Sequence, residues 1–136
     1  MAAAKIQTRK VDKEKYTNYL KKAQDFFTTM QSAYKAGNWN STGLEGVHCV
    51  ISANDALLVF FGGSRSISQD HKDVARLLTT VINTPDAKES SQHLRKVIAL
   101  KNIIEYEERL FTQKEAVEVM KHAERFFAWV KSMLPN

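Results

Sequence analysis

The segment from Thr42 to Phe61 constrains this chain most. Leu44, Val47, Ile51, Leu58 and Phe61 recur at helical spacing, and Val50, Ala53 and Leu57 widen the stripe until little polar surface remains. A helix that is apolar on most sides must be enclosed by other elements. The same sequence marks its own ends. Thr42-x-x-Glu45 reads as a capping box, and Gly62-Gly63 stops the helix.

The flanking segments are suited to enclose it. From about Val11 to Ala36, the residues Tyr16, Tyr19, Leu20, Ala23, Phe26, Phe27, Met30, Ala33 and Tyr34 fall in steps of three and four, with Asp12 as N-cap and Gly37 just past the end. Ser68 is expected to cap a third helix, whose inward residues are Val74, Ala75, Leu77, Leu78, Val81 and Ile82. Thr84-Pro85 suits an N-cap followed by proline at the first helical position, with Ala87–Ser91 expected to stay loop-like. A fourth helix should then carry Leu94, Val97, Ile98, Leu100, Ile103, Ile104 and Leu110 inward. Thr112-x-x-Glu115 is a second capping box, Phe111 can staple onto Ala116, and Val117, Met120, Ala123, Phe126, Phe127, Val130 and Met133 line a fifth helix. No segment shows sustained strand alternation. The expected fold is all-α, an up-and-down bundle of about five helices formed by residues 13–136 as one domain.

Charge is unevenly placed. Residues 1–22 hold seven Lys/Arg against two Asp/Glu, which accounts for the whole formal charge of +5, since the rest has thirteen of each. Residues 1–12 are therefore expected to be a flexible basic arm, either merely solvated or attracting phosphate. One cysteine, Cys49, permits no internal disulfide, and with four scattered histidines it builds no structural zinc site, so no metal is expected. The opening MAAAKIQTRK lacks the apolar stretch of a signal peptide, and the longest apolar run, Ala56–Phe61, is far too short to span a bilayer. A cytoplasmic protein without membrane attachment is expected.

Three groups of residues can carry chemistry. Asn54 and Asp55 interrupt the apolar central helix. Asn54 lies on the face of Val47, Ile51, Leu58 and Phe61, and Asp55 on a ridge with His48 and Ser52. A buried amide or carboxylate must be paired or opened to water, because leaving it bare costs a few kcal/mol. The ridge is either a solvent edge or the place where Asp55 meets a basic residue from another helix or from residues 62–71. Lys101 and Tyr106 lie near the core boundary of the fourth helix, where a tyrosine can turn its ring inward and its hydroxyl to a polar partner. Finally, Arg65 and His71 stand in GGSRSISQDH. With Ser68 as N-cap, His71 would take the third helical position, where the helix dipole disfavours the protonated imidazole and leaves a neutral base. Arginine can grip a phosphate with two parallel hydrogen bonds. Together they suit metal-independent RNA cleavage, in which the base takes the 2′-hydroxyl proton and that oxygen attacks the adjacent phosphate. The alternative is a well-capped corner in which Arg65 neutralises Asp55 or Asp70.

Several motifs in order resemble a bacterial group of HEPN domains, the higher-eukaryote and prokaryote nucleotide-binding superfamily. These are Val47-His48-x-x-Ile51-x-Ala53-x-Asp55-Ala56, Gly63-x-Arg65-Ser66-x-x-Gln69-Asp70-His71 with Leu77-Leu78, Leu100-Lys101-x-x-x-Glu105-Tyr106, and a last helix with Ala116 and Ala123-Glu124-Arg125. The resemblance spans about residues 15 to 134. It implies a helical bundle that pairs as a homodimer, and in many members a metal-independent ribonuclease acting as toxin or defence effector through an arginine and a histidine four to six residues apart. Arg65 and His71 meet that spacing. Their supporting polar cluster would be His48, Asn54, Asp55, Gln69, Asp70, Lys101 and Tyr106. The resemblance also admits non-catalytic members and members that act beside a nucleotidyltransferase or an antitoxin. The chain has no nucleotidyltransferase segment and no glycine-rich phosphate loop of the usual kinds, and no cofactor is expected.

Three functions follow from these readings. The first is a dimeric binding module for a nucleotide, RNA or other phosphate-containing ligand. The second is a metal-independent endoribonuclease using Arg65 and His71, and the third a non-catalytic protein-interaction subunit.

Overall fold

A computed structural model describes residues 6–68 and 70–135, with the main chain alone for His71. The chain runs through strand β1 (Thr8–Lys10), a 3₁₀ turn (Lys13–Lys15), helices α1 (Tyr16–Lys35) and α2 (Trp39–Gly62), strand β2 (Ser64–Ser66), and helices α3 (His71–Val81), α4 (Pro85–Ala99), α5 (Lys101–Tyr106) and α6 (Gln113–Met133). Five long helices and one short one form the all-α bundle that the apolar periodicity requires.

Helix α2 is the enclosed element. Val47, Val50, Ala53, Ala56, Leu57, Leu58 and Val59 are wholly buried. Helix α1 lies along it and α6 covers another side, with α3, α4 and α5 closing the remainder. By length and composition alone α2 could cross a membrane, but 67% of the relevant stretch is packed inside the bundle. Its burial marks it as a core helix. Gly46 permits the closest approach: a Cβ there would collide with Val119 of α6 and crowd Met30 of α1, whose sulfur would lie 3.2 Å away. The wholly buried Phe126 and Leu94 complete the core from α6 and α4.

Several helix ends match their sequence signals. Thr112 and Glu115 form the reciprocal capping box of α6, and Thr84 accepts from the Ala87 N–H with Pro85 at the first helical position. Gly63 ends α2 in the left-handed region, at φ +68°, where only glycine is unstrained.

Other expectations are corrected. Helix α2 starts at Trp39, where the indole packs on Tyr34 at 5.5 Å between ring centroids. Thr42 is therefore one turn inside, buried, and donates to the Asn38 carbonyl at 2.8 Å. Residues 87–91 are helical, because their small side chains Ala87, Ser90 and Ser91 pack inward. The fourth helix divides at Leu100, and α5 stops at Tyr106. Beyond it, Arg109 grips Glu115 with two bonds of 2.8 and 2.6 Å, which fixes the approach to α6. Leu110 is consequently 74% exposed, and Phe111 takes the buried place.

The two short strands were not anticipated. Thr8–Lys10 pairs antiparallel with Ser64–Ser66, in the register Thr8↔Ser66, Arg9↔Arg65 and Lys10↔Ser64. Part of the arm expected to be flexible is thus hydrogen-bonded to the turn that follows α2. Three-residue strands are too short for alternation to announce them.

Candidate functional site

The ribbon forms one wall of a cleft of about 480 Å³. Helix α2 presents Ile51 and Asp55 to it, β1 presents Arg9, and β2 presents Arg65 and Ser66. Ile67 and Ser68 continue that wall. Val74 from α3, Ile98 from α4, and Lys101, Asn102 and Tyr106 from α5 complete the lining. This volume is in the range of small-molecule sites.

Its electrostatics centre on Asp55. The residue is 8% exposed, and its carboxylate oxygen lies 3.8 Å from the Arg65 guanidinium. That separation permits charge attraction but not a hydrogen bond. Burial pushes Asp55 up to about 7, against the opposing pull of Arg65 and, more weakly, Lys22. Near neutral pH, Asp55 therefore only partly offsets the arginine beside it. Lys101 faces Glu105 at 3.6 Å, also beyond hydrogen-bond distance. Among the described residues, Asp55 is the only carboxylate in the lining, against Arg9, Arg65 and Lys101.

The turn between the ribbon and α3 is stiffly built. Ser66 Oγ accepts from the Ser68 N–H at 3.2 Å. Ser68 Oγ accepts from the Asp70 N–H at 3.1 Å and donates to Asp73 at 2.9 Å. The bonds from Ser68 and Arg76 hold Asp73 below the usual carboxylate range. The N-cap of α3 is Asp70, whose carboxylate accepts from the Lys72 N–H at 2.9 Å, and not Ser68 as the sequence suggested. Ser68 is drawn back to Asp73 instead. His71 consequently opens α3 as its first residue, two positions earlier than expected.

The sequence-derived cluster is thus divided. Asp55, Arg65, Lys101 and Tyr106 meet in the cleft. Tyr106 does not turn inward: it is 74% exposed at the rim, because α5 ends there. His48 is half-buried against Phe26, at 5.2 Å between ring centroids, and does not line the cleft. Asn54 is 1% exposed, and neither amide atom has a hydrogen-bond partner among the described residues. Gln69 and the side chain of His71 lie outside the described residues. Sequence reasoning missed Arg9, whose only signal was membership of a basic arm. Cys49 offers no accessible nucleophile: it is fully buried, and burial pushes its thiol up to about 12. Among the described residues, no three His, Cys, Asp or Glu side chains are grouped to hold a metal ion.

A helical bundle around one enclosed apolar helix, with a basic cleft where its short ribbon meets the third and fifth helices, defines the class of protein. The chain belongs to the HEPN domain family, whose model matches residues 16–133. No curated protein and no solved structure gives a significant match.

Proposed function

We propose that this HEPN protein is a binding module that takes a phosphate-bearing ligand, a nucleotide or RNA, in the cleft between the ribbon, α2 and α5. One observation carries the reading. Three cationic side chains from three separate elements, Arg9, Arg65 and Lys101, converge on a cavity whose lining, among the described residues, holds one incompletely ionised carboxylate. Such an excess of positive charge in a partly enclosed cavity favours an anion. The apolar side chains Ile51, Val74 and Ile98 give a nucleoside a surface to rest on. A homodimer in a bacterial cytoplasm goes with this reading, and sedimentation equilibrium tests the dimer.

The direct test is binding of a fluorescent oligoribonucleotide, followed by anisotropy and by thermal stabilisation, since a ligand selective for the native state raises Tm. Arg65→Ala and Lys101→Ala should each weaken binding about tenfold, and affinity should fall as salt rises. No binding by the wild-type protein to RNA or to any common nucleotide sinks the proposal.

Arg65 also supports a second reading, metal-independent endoribonuclease. It lines the cleft, and α3, which opens with His71, sends Val74 into the same cavity. In this reading His71 removes the 2′-hydroxyl proton and later yields it to solvent, the oxygen attacks phosphorus, and the bond to the 5′-oxygen breaks as that oxygen takes a proton from water. The products are a 2′,3′-cyclic phosphate and a 5′-hydroxyl end. Cleavage in EDTA that is lost in a folded His71→Ala variant supports it; intact RNA after prolonged incubation with the wild type excludes it.

A further inference from the structure

We infer that Arg9 and Arg65, held side by side across the two-stranded ribbon, form a two-pronged receptor for a terminal phosphate monoester, so that the N-terminal strand is part of the binding site. The inference deepens the phosphate-ligand reading above and rests on it.

The register places the two arginines together. Arg9 pairs directly with Arg65. The Val11 N–H donates to Gly63 at 3.0 Å on one side of the pair, and the Ile67 N–H donates to Gln7 at 3.1 Å on the other. Residues directly opposite in an antiparallel ribbon project from the same face with their Cβ atoms about 4.5–5.5 Å apart. Both arginines accordingly line the same cleft.

Like charges directly opposite in a ribbon are destabilising. An isolated ribbon of two short strands is itself marginal. A Thr or Ser at either position would relieve the repulsion. Local compensation is partial. Asp55 approaches Arg65 at 3.8 Å, and among the described residues Arg9 has no ion pair. An anion lying between the two forks would remove the repulsion and use donors for which no hydrogen-bond partner is found among the described residues.

The charge balance selects the kind of phosphate. A diester, as inside an RNA strand, carries one negative charge. A terminal monoester carries close to two near neutral pH and has three equivalent oxygens. Two guanidiniums can each grip such a group with parallel hydrogen bonds, which lysine cannot do. Tyr106, exposed at the rim, offers a ring on which the attached base can stack. The shared chemistry is thus a terminal nucleoside phosphate, supplied either by a free mononucleotide or by the end of an RNA.

The test uses the full chain and four probes: a short oligouridylate with a 5′-phosphate, the same oligomer with a 5′-hydroxyl, uridine 5′-monophosphate, and uridine. The wild type should bind the phosphorylated oligomer about tenfold or more tightly than the hydroxyl form. Arg9→Ala should bring the two within about twofold, and Arg9→Lys should recover only part of the preference. Lys35→Ala, which removes the same charge at the opposite end of α1, should keep the preference intact. Arg9 is exposed, so its variants should retain the wild-type circular dichroism, and Arg9→Ala should have a Tm no lower than that of the wild type. Uridine 5′-monophosphate binding as well as the phosphorylated oligomer identifies a free nucleotide as the source, whereas binding of the oligomer alone identifies an RNA end. Equal wild-type affinity for the two oligomers, or a preference that survives Arg9→Ala, overturns the receptor while leaving phosphate binding in place. Binding of none of the four probes overturns both.

Discussion

In the seam between α4 and α6, His93 and His122 face each other with Nδ1 atoms 2.8 Å apart, and Glu118 stands 3.2 Å from the far nitrogen of His122. In the cleft, Asp55 faces Arg65 at 3.8 Å, and Arg9 makes no ion pair among the described residues. Both places hold ionisable groups in partly apolar surroundings, but the seam completes its bonds. A carboxylate only accepts, so His122 donates through Nε2, and its Nδ1 receives the Nδ1–H of His93. Burial, reinforced by nearby positive charge, keeps both imidazoles below their usual value and therefore neutral. The cleft leaves its cations under-neutralised beside open space. The polar groups of the seam bond to one another, whereas the cations of the cleft keep capacity for the anion proposed above.

Substitutions should separate the two regions, beginning with the seam. His122→Ala removes a buried ring and strands the His93 donor, and it should cost about 2–3 kcal/mol in urea denaturation while leaving RNA affinity unchanged. A weaker ligand affinity in that folded variant would break the comparison. The seam also has an acid limb. Because the folded values lie below 6.5, stability is full above that pH and is lost as pH falls through the depressed values. Replacing both histidines by leucine should flatten that limb.

Asp55→Asn should act in the opposite sense. The Asp55 value rises from 3.8 to about 7 on folding, so its contribution is full below pH 3.8 and declines as pH climbs toward 7. The variant should gain stability over the wild type steadily as pH rises from about 4 to about 7, with no gain below that window. A gain independent of pH would show that the carboxylate is not titrating there. Asn54→Leu replaces an amide that has no partner among the described residues, and about 1 kcal/mol of stabilisation is expected by thermal denaturation. Any loss of stability would show that the amide is in fact bonded in solution. Arg65→Ala should move stability least, by under about 1 kcal/mol, because Asp55 can take up a proton when its cation leaves. On the proposed reading its effect falls on ligand affinity instead.

The bundle was legible because helix formation and burial are written at short range. Spacings of three and four mark each inward face, Thr84-Pro85 and Thr112-x-x-Glu115 mark two starts, and Gly63 marks a stop. Errors arose where a tertiary contact overrode a local signal: Trp39 on Tyr34 drew α2 back past Thr42, and Arg109 on Glu115 ended α5 before Leu110 could turn in. The cleft was legible in part. A carboxylate in an apolar helix marks Asp55; Lys101 and Tyr106 stand beside an apolar face, and Arg65 is marked by its spacing to His71 in the glycine corner. His48 shared a ridge with Asp55 in sequence, but Phe26 of α1 occupies that side. Arg9 could not be found, because nothing near it in sequence predicts its partner.

The amino-acid order alone determined that this chain forms a helical bundle around one enclosed helix, because periodicity and burial act over a few turns. Only the folded chain decided that a residue from the N-terminal arm would stand beside Arg65, more than fifty positions away. Pairing of two three-residue strands depends on where the surrounding helices bring their ends, and no local propensity encodes that placement.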